Sequence, residues 1–325
     1  MTGAASQARS RPDMMRRQTS LRFVLSALPV AIALAGLCTT AGAQQTLAFP
    51  SARGALQIPA TLLKPEGNGP FPAVVIMHDC SGLGPHSSGA PARWGKEILA
   101  QGYVILIPDS FSPRGIFDGV CTMQEVNLRN SVGGPVRAFD AYGALEALRA
   151  LPFVAKQRVG IMGASHGGWT TLEAMVAPVS DSDPLAGAKR SGFAAAIALY
   201  PRCTTRMGEW STTSSGRTGP MSGYRGVYRA TASTLILAGE KDDWTPAEPC
   251  RIMVEVARAQ GQPIDIRIYP NAHHAFDNDS PIRYVAQRNN PSAPSGRGAT
   301  TGGDPAAWAD ARKQVAEFFA AQLKR

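Results

Sequence analysis

No two cysteines in this chain stand in a CxxC spacing, which argues against a zinc site and against a dithiol redox motif. Past the N-terminal region there is no apolar run long enough to cross a bilayer, and no internal repeat is visible. Lys and Arg outnumber Asp and Glu by 33 to 24, yet the arginines are scattered, with no dense run and no interleaved aromatics. A nucleic-acid partner is therefore not expected. Nor does any stretch carry a cofactor or metal motif, so the chemistry is expected to need neither.

What is present is an ordinary globular balance: 325 residues, 44% hydrophobic and 18% charged, enough for one large core or two modest ones. Arg16, Arg17 and Arg22 lead into the apolar run 23–37, which ends in Ala41-Gly42-Ala43. Basic, apolar and small-residue segments in that order read as a secretory signal, with cleavage expected after Ala43 and a periplasmic or secreted mature protein. Translation can begin at Met14 or Met15, because the residues before them add nothing to such a signal. Arg16-Arg17 raises the twin-arginine route, although the Gln-Thr-Ser-Leu that follows matches it poorly. Cys38 follows Leu37, where a lipoprotein signal needs a small residue. An uncleaved anchor is the alternative reading of the same segment.

Residues 1–43 hold five Arg and one Asp, so their removal lowers the formal charge from +9 to +5. The mature protein, residues 44–325, reads as a single domain without stable membrane association. It retains Cys80, Cys121, Cys203 and Cys250, and export makes disulfides an expectation.

Short apolar runs alternate with helix-like segments along this mature part. Strands are expected at 46–49, 56–63, 72–77, 103–107, 158–162, 193–199, 233–238 and 264–269. Helices are expected at 93–101, 136–151, 169–177, 247–260 and 305–323. Near-continuous apolar strands between helices imply a mainly parallel sheet covered on both faces. Two stretches break the rhythm. Residues 202–229, rich in Ser, Thr, Gly and Arg, and residues 278–304 read as long loops, the second as a candidate for disorder. Either could frame a pocket or be a solvated insertion.

Gly163-Ala164-Ser165-His166-Gly167-Gly168 joins the strand at 158–162 to the next helix. A serine on such a turn is held in a strained conformation, and a side chain two residues before or after it would collide with its neighbours. Gly163 and Gly167 remove that obstacle. The strain exposes the Ser165 hydroxyl at a helix start, with the next backbone N–H free to meet a developing oxyanion. In an open parallel sheet chemistry collects at the carboxyl ends of the strands. There the chain offers Asp242 and Asp243 after one strand, and His273 and His274 after the next. A serine hydroxyl needs a base, and the base needs a carboxylate to fix its tautomer. The order Ser, Asp, His satisfies both needs, but local patterning does not separate the members of either pair.

These residues, with Met77-His78-Asp79-Cys80-Ser81-Gly82 and Pro108-Asp109-Ser110-Phe111, resemble the dienelactone hydrolase family over nearly the whole mature chain. The resemblance implies an α/β-hydrolase fold with a mostly parallel central sheet and helices on both faces. The family's spacing points to Asp242, three after Gly239 and four before Pro246, and to His274, two before Phe276. It implies an oxyanion hole from the backbone N–H groups of Cys80 and His166, and it sets Arg114 near the family's substrate-carboxylate arginine. The best-known members use a cysteine nucleophile and a glutamate where this chain has Ser165 and Asp79. Asp79 is expected to shape its loop by hydrogen bonding, and the substrate to be a small carboxylic ester or lactone. A peptidase or polyester depolymerase on the same fold, and a non-catalytic binding protein, are the competing readings. Cys80 and Cys121 should lie at the ends of neighbouring strands, and Cys203 and Cys250 at the ends of two that could be adjacent, so those are the disulfide pairs expected among three possible pairings; four buried free thiols are the alternative.

Overall fold

A computed structural model describes residues 43–214 and 221–324. Of the expected signal segment it includes Ala43 alone; the rest, with Cys38, lies outside the described residues. In chain order the elements begin with strands β1 (Ala43–Pro50), β2 (Gln57–Lys64) and β3 (Phe71–Met77), helix α1 (Ala90–Leu99) and β4 (Val104–Pro108). Then come α2 (Val126–Asn130), α3 (Gly134–Ala150), β5 (Val154–Ala164), α4 (His166–Met175), α5 (Ala186–Arg190) and β6 (Ala195–Leu199). The remainder is β7 (Ser211–Ser214), β8 (Met221–Arg225), β9 (Ser233–Gly239), α6 (Ala247–Ala259), β10 (Ile264–Tyr269), β11 (Arg283–Asn289), β12 (Arg297–Thr301) and α7 (Pro305–Leu323).

Eight strands form one sheet in the order β1-β2-β4-β3-β5-β6-β9-β10. The pairs β1/β2 and β2/β4 are antiparallel and the other five parallel. Alternate residues of each strand feed opposite layers, as a pleat requires. From β3, Val74 and Ile76 pack with Trp94 and Ile98 of α1 and with Phe319 and Leu323 of α7. Ala73, Val75 and Met77 pack instead with Ala141, Tyr142 and Leu145 of α3. Beside that second layer, Leu172 of α4 and Met253 and Val254 of α6 cover Ile236 and Ala238 of β9. Both faces are thus apolar, which explains strands without polar alternation. The closing helix starts where its sequence dictates: Asp304 accepts from the N–H groups of Ala306 and Ala307, with Pro305 in the first turn.

The two stretches read as loops are partly strand. β7 and β8 form an antiparallel hairpin, as do β11 and β12. Residues 278–304 are not a disordered insertion. The Asn289 N–H donates to the Cys121 carbonyl at 2.8 Å, the Asn290 side chain to the Asp243 carbonyl at 2.9 Å, and the Gly302 N–H to the His274 carbonyl at 3.2 Å. Ladder hydrogen bonds and these anchors order a segment that buries little apolar surface.

Candidate active site

The carboxyl ends of four neighbouring strands are level, because Ala164 pairs with Leu199, Leu199 with Leu237, and Gly239 with Tyr269. Turns leaving β5, β9 and β10 therefore meet above one edge of the sheet. The first holds Ser165 at φ 54°, a left-handed conformation that a residue with a Cβ rarely adopts. A Cβ on Gly163 would lie 2.3 Å from the Gly167 carbonyl oxygen, and one on Gly167 would lie 2.1 Å from that of Met77. The turn closes only because both are glycine.

The turns after β9 and β10 bring Asp242 and His274 to this serine. His274 Nε2 lies 2.9 Å from Ser165 Oγ, and His274 Nδ1 lies 2.7 Å from Asp242 Oδ2. All three side chains are buried. An ionised Asp242 only accepts, so Nδ1 carries the proton and Nε2 presents its lone pair to the serine hydroxyl. Asp242 Oδ1 also takes the backbone N–H groups of Trp244 and Thr245 at 2.9 and 2.8 Å. Thr245 is a residue that the sequence reading missed. Its hydroxyl lies 2.9 Å from Asp242 Oδ2, from His274 Nδ1 and from the Tyr200 carbonyl. The rings of Tyr200 and Trp244, each centred 4.7 Å from the imidazole, limit its rotation. Tyr200 is fixed in turn by Asp277, which accepts from its hydroxyl at 2.7 Å and from the Trp94 indole at 2.6 Å.

Beside the serine, the turn after β3 runs past the start of α4. Among the described residues no hydrogen bond occupies the backbone N–H of Cys80 or of His166, the two expected oxyanion donors. Asp79 shapes this turn: it accepts the Ser81 N–H at 2.7 Å and the hydroxyls of Ser81 and Ser88. Cys80 is joined to Cys121, and Cys203 to Cys250. The Val120 N–H also donates to the Cys80 carbonyl at 2.6 Å, so two links hold this turn to the loop that follows β4. Buried His78 receives the Ser110 N–H on Nε2 at 3.2 Å and meets its own neighbour's carbonyl through Nδ1 at 2.9 Å. Burial, reinforced by Arg137, pushes the pKa of His78 and of His166 well below the ordinary value, so both rings are neutral.

Among the described residues Arg114 makes no hydrogen bond to Ser165, Asp242 or His274. Its guanidinium takes Asp140 in a two-pronged ion pair at 2.8 and 3.0 Å and donates to the Ser110 carbonyl at 2.6 Å. Asp140 is wholly buried, and leaving it unpaired would cost several kcal/mol, of the order of 3 to 5. That pairing, invisible to local spacing, gives Arg114 a structural partner in Asp140.

An open parallel sheet, a strained serine between glycines and a Ser–His–Asp chain across three strand ends together suit acyl transfer. The family model for dienelactone hydrolases matches residues 58–323. A carboxymethylenebutenolidase candidate of Methylorubrum extorquens is 25% identical over 288 residues, covering 87% of this chain and 90% of that one. A dienelactone hydrolase-like promiscuous phosphotriesterase from metagenomic libraries superposes with a TM-score of 0.58 at 18% identity, over 87% of this chain and 99% of that one. The acylaminoacyl peptidase of Pyrococcus horikoshii gives 0.53 at 18% identity over 88% of this chain, but only 42% of the larger peptidase. The peptidase and the phosphotriesterase share the sheet and its helices, whereas the family match spans nearly every element from β2 to α7. The chain belongs to the dienelactone hydrolase family.

Proposed function

We propose that this protein is an exported serine hydrolase that cleaves carboxylic esters or lactones through an acyl-enzyme on Ser165. Ser165 Oγ attacks the carbonyl carbon while His274 Nε2 takes its proton. Asp242, bonded to Nδ1, stabilises the imidazolium and keeps its orientation. The N–H groups of Cys80 and His166 receive the oxyanion. Collapse of the tetrahedral state expels the alcohol, to which His274 returns the proton. Water, activated by the same imidazole, then releases the acid and restores the serine. For a lactone, both products leave as one hydroxy acid.

The observation that carries this reading is the unbroken hydrogen-bonded chain from Ser165 through His274 to Asp242, fully buried at its acid end. Export rests on the N-terminal segment, and the two disulfides support it. Cleavage after Ala43 would remove one residue from β1. The test is to screen the purified chain from residue 44 against short and long acyl esters, lactones and a polyester film. Turnover of none of these, by a folded protein, would defeat the proposal, and a preference for the film would favour the depolymerase version.

A further inference from the structure

Arg137 is a buried cation that the reaction scheme leaves unused. It stands near the start of α3 with no solvent exposure, and it forms no ion pair with any described acid. Asp140, on the same helix, is occupied by Arg114. Nη2 of Arg137 donates to the His78 carbonyl at 2.8 Å, and Nη1 to His166 Nδ1 at 2.8 Å. Its plane lies over the Phe111 ring, 5.0 Å from the centroid, and that ring meets the rings of His78 and His166 edge-on. Burial lowers its pKa to about 9, so it is a cation at neutral pH.

A dry cation with no carboxylate in contact, only the more distant charges of Asp140, Asp79 and Asp109, is costly to a fold. The placement of its two prongs suggests what offsets that cost. One prong holds the peptide unit two residues before Cys80, and the other holds the side chain of His166. One rigid group therefore touches both segments that carry the proposed oxyanion donors. Lysine has no such fork and could not hold both at once.

We infer that Arg137 is a positioning residue of the oxyanion hole. Its fork fixes the spacing of the segments bearing the Cys80 and His166 N–H groups, and its buried charge, in contact with no carboxylate, favours the anionic tetrahedral state over the neutral ester. The inference rests on the serine-hydrolase reading above and names a group that reading does not need.

The experiment measures turnover of p-nitrophenyl acetate per competent serine, with sites counted by fluorophosphonate titration run to completion. Arg137→Gln is expected to lower kcat per titrated site about 10²-fold with KM within about threefold of the original, because the ground-state ester carries no charge. Arg137→Lys restores the charge without the fork and should recover about tenfold of that loss. A purely structural arginine would reduce the titratable fraction and leave kcat per site unchanged; that result, or a loss borne by KM alone, overturns the inference. If Arg137→Gln does not fold, His166→Leu decides, since it removes the Nδ1 acceptor from a partly exposed ring. A fall of about tenfold in kcat per site is expected, and a change below about twofold overturns the proposal. An unsubstituted chain that neither reacts with the phosphonate nor cleaves the ester would overturn the serine-hydrolase reading itself, and the role of Arg137 with it.

Discussion

Asp243 accepts the backbone N–H of Thr300 at 2.8 Å and its hydroxyl at 2.7 Å, so the acid beside Asp242 fastens β12 and does not meet the imidazole. His273 likewise makes no bond to Asp242, and its Nδ1 is buried without a partner among the described residues. Asp242→Asn is expected to lower kcat about 10⁴-fold, because an amide can hold the wrong tautomer of His274. Asp243→Asn should keep kcat within about threefold and lower the melting temperature instead. His274→Ala should match the Asp242 variant, and His273→Ala should keep most activity. Steady-state kinetics on the four variants decide; an exchange of effects within either pair would refute the assignment.

Ser165→Ala should abolish fluorophosphonate labelling and reduce kcat by about 10⁴-fold or more while the melting temperature stays near the original. Alanine keeps the Cβ and with it the same strained backbone, so only the hydroxyl is lost. Persistent labelling of the alanine protein would place the nucleophile elsewhere.

Thr245→Val keeps the volume and removes the hydroxyl shared by Asp242, His274 and the Tyr200 carbonyl. A loss of about tenfold in kcat is expected, since the carboxylate keeps its two backbone N–H bonds and its bond to the imidazole. A valine variant with full kcat would show that those bonds suffice.

The Cys80–Cys121 bridge joins the turn carrying one proposed oxyanion donor to a loop that Asn289 also holds, through the Cys121 and Met123 carbonyls at 2.8 Å each. Replacing both cysteines by alanine should lower kcat about 10²-fold in the protein that remains folded, by loosening that donor. The same change at Cys203 and Cys250, which join β6's exit to α6, should act on stability, by about 2 to 5 kcal/mol. Denaturant melts and kcat per titrated serine separate the two effects. Unchanged turnover without the first bridge would remove its proposed link to catalysis.

Glu173 gives a pH signature unrelated to the serine. Burial raises its carboxyl from 4.5 to about 7, against the smaller pull of the Trp169 indole, which donates to it at 2.9 Å. Its folded value exceeds its unfolded one, so the folded state binds the proton more tightly. The associated stability is complete below about pH 4.5 and is lost as pH rises through about 7, a change of roughly 3 kcal/mol. Glu173→Gln should therefore melt close to the original protein at pH 4.5 and above it at pH 8. A variant that melts lower at pH 8 would contradict this account.

Most of the sheet was legible because apolar runs such as Pro72-Ala-Val-Val-Ile-Met77 and Ser233-Thr-Leu-Ile-Leu-Ala238 are buried on both faces and alternate with helices. The four hairpin strands were not. Segments such as Ser211-Thr-Thr-Ser214 and Arg283-Tyr-Val-Ala-Gln-Arg-Asn289 have little burial and carry no hydrophobic period. At the site, the serine turn has a local signature in its glycines, while choosing His274 and Asp242 required the family's spacing. Arg114 and Arg137 illustrate what one-dimensional reading lacks. The sequence shows two arginines, 26 and three residues before Asp140, but only the fold decides which takes that acid and which is buried without an acid in contact. Thr245 carried a faint signal, a hydroxyl three residues after Asp242, of the kind that also caps an Asx turn.

The two bridges neither cross nor nest, since Cys80 pairs with Cys121 before Cys203 pairs with Cys250. A polypeptide threading N-terminus first into an oxidising space would expose these thiols in that same order. Each native bond would then form between a cysteine and the next one to emerge, while the chain behind was still in transit. Provided each bond closes before the next cysteine emerges, oxidation in order of emergence yields the correct pairing, and maturation by that route should proceed without a disulfide isomerase.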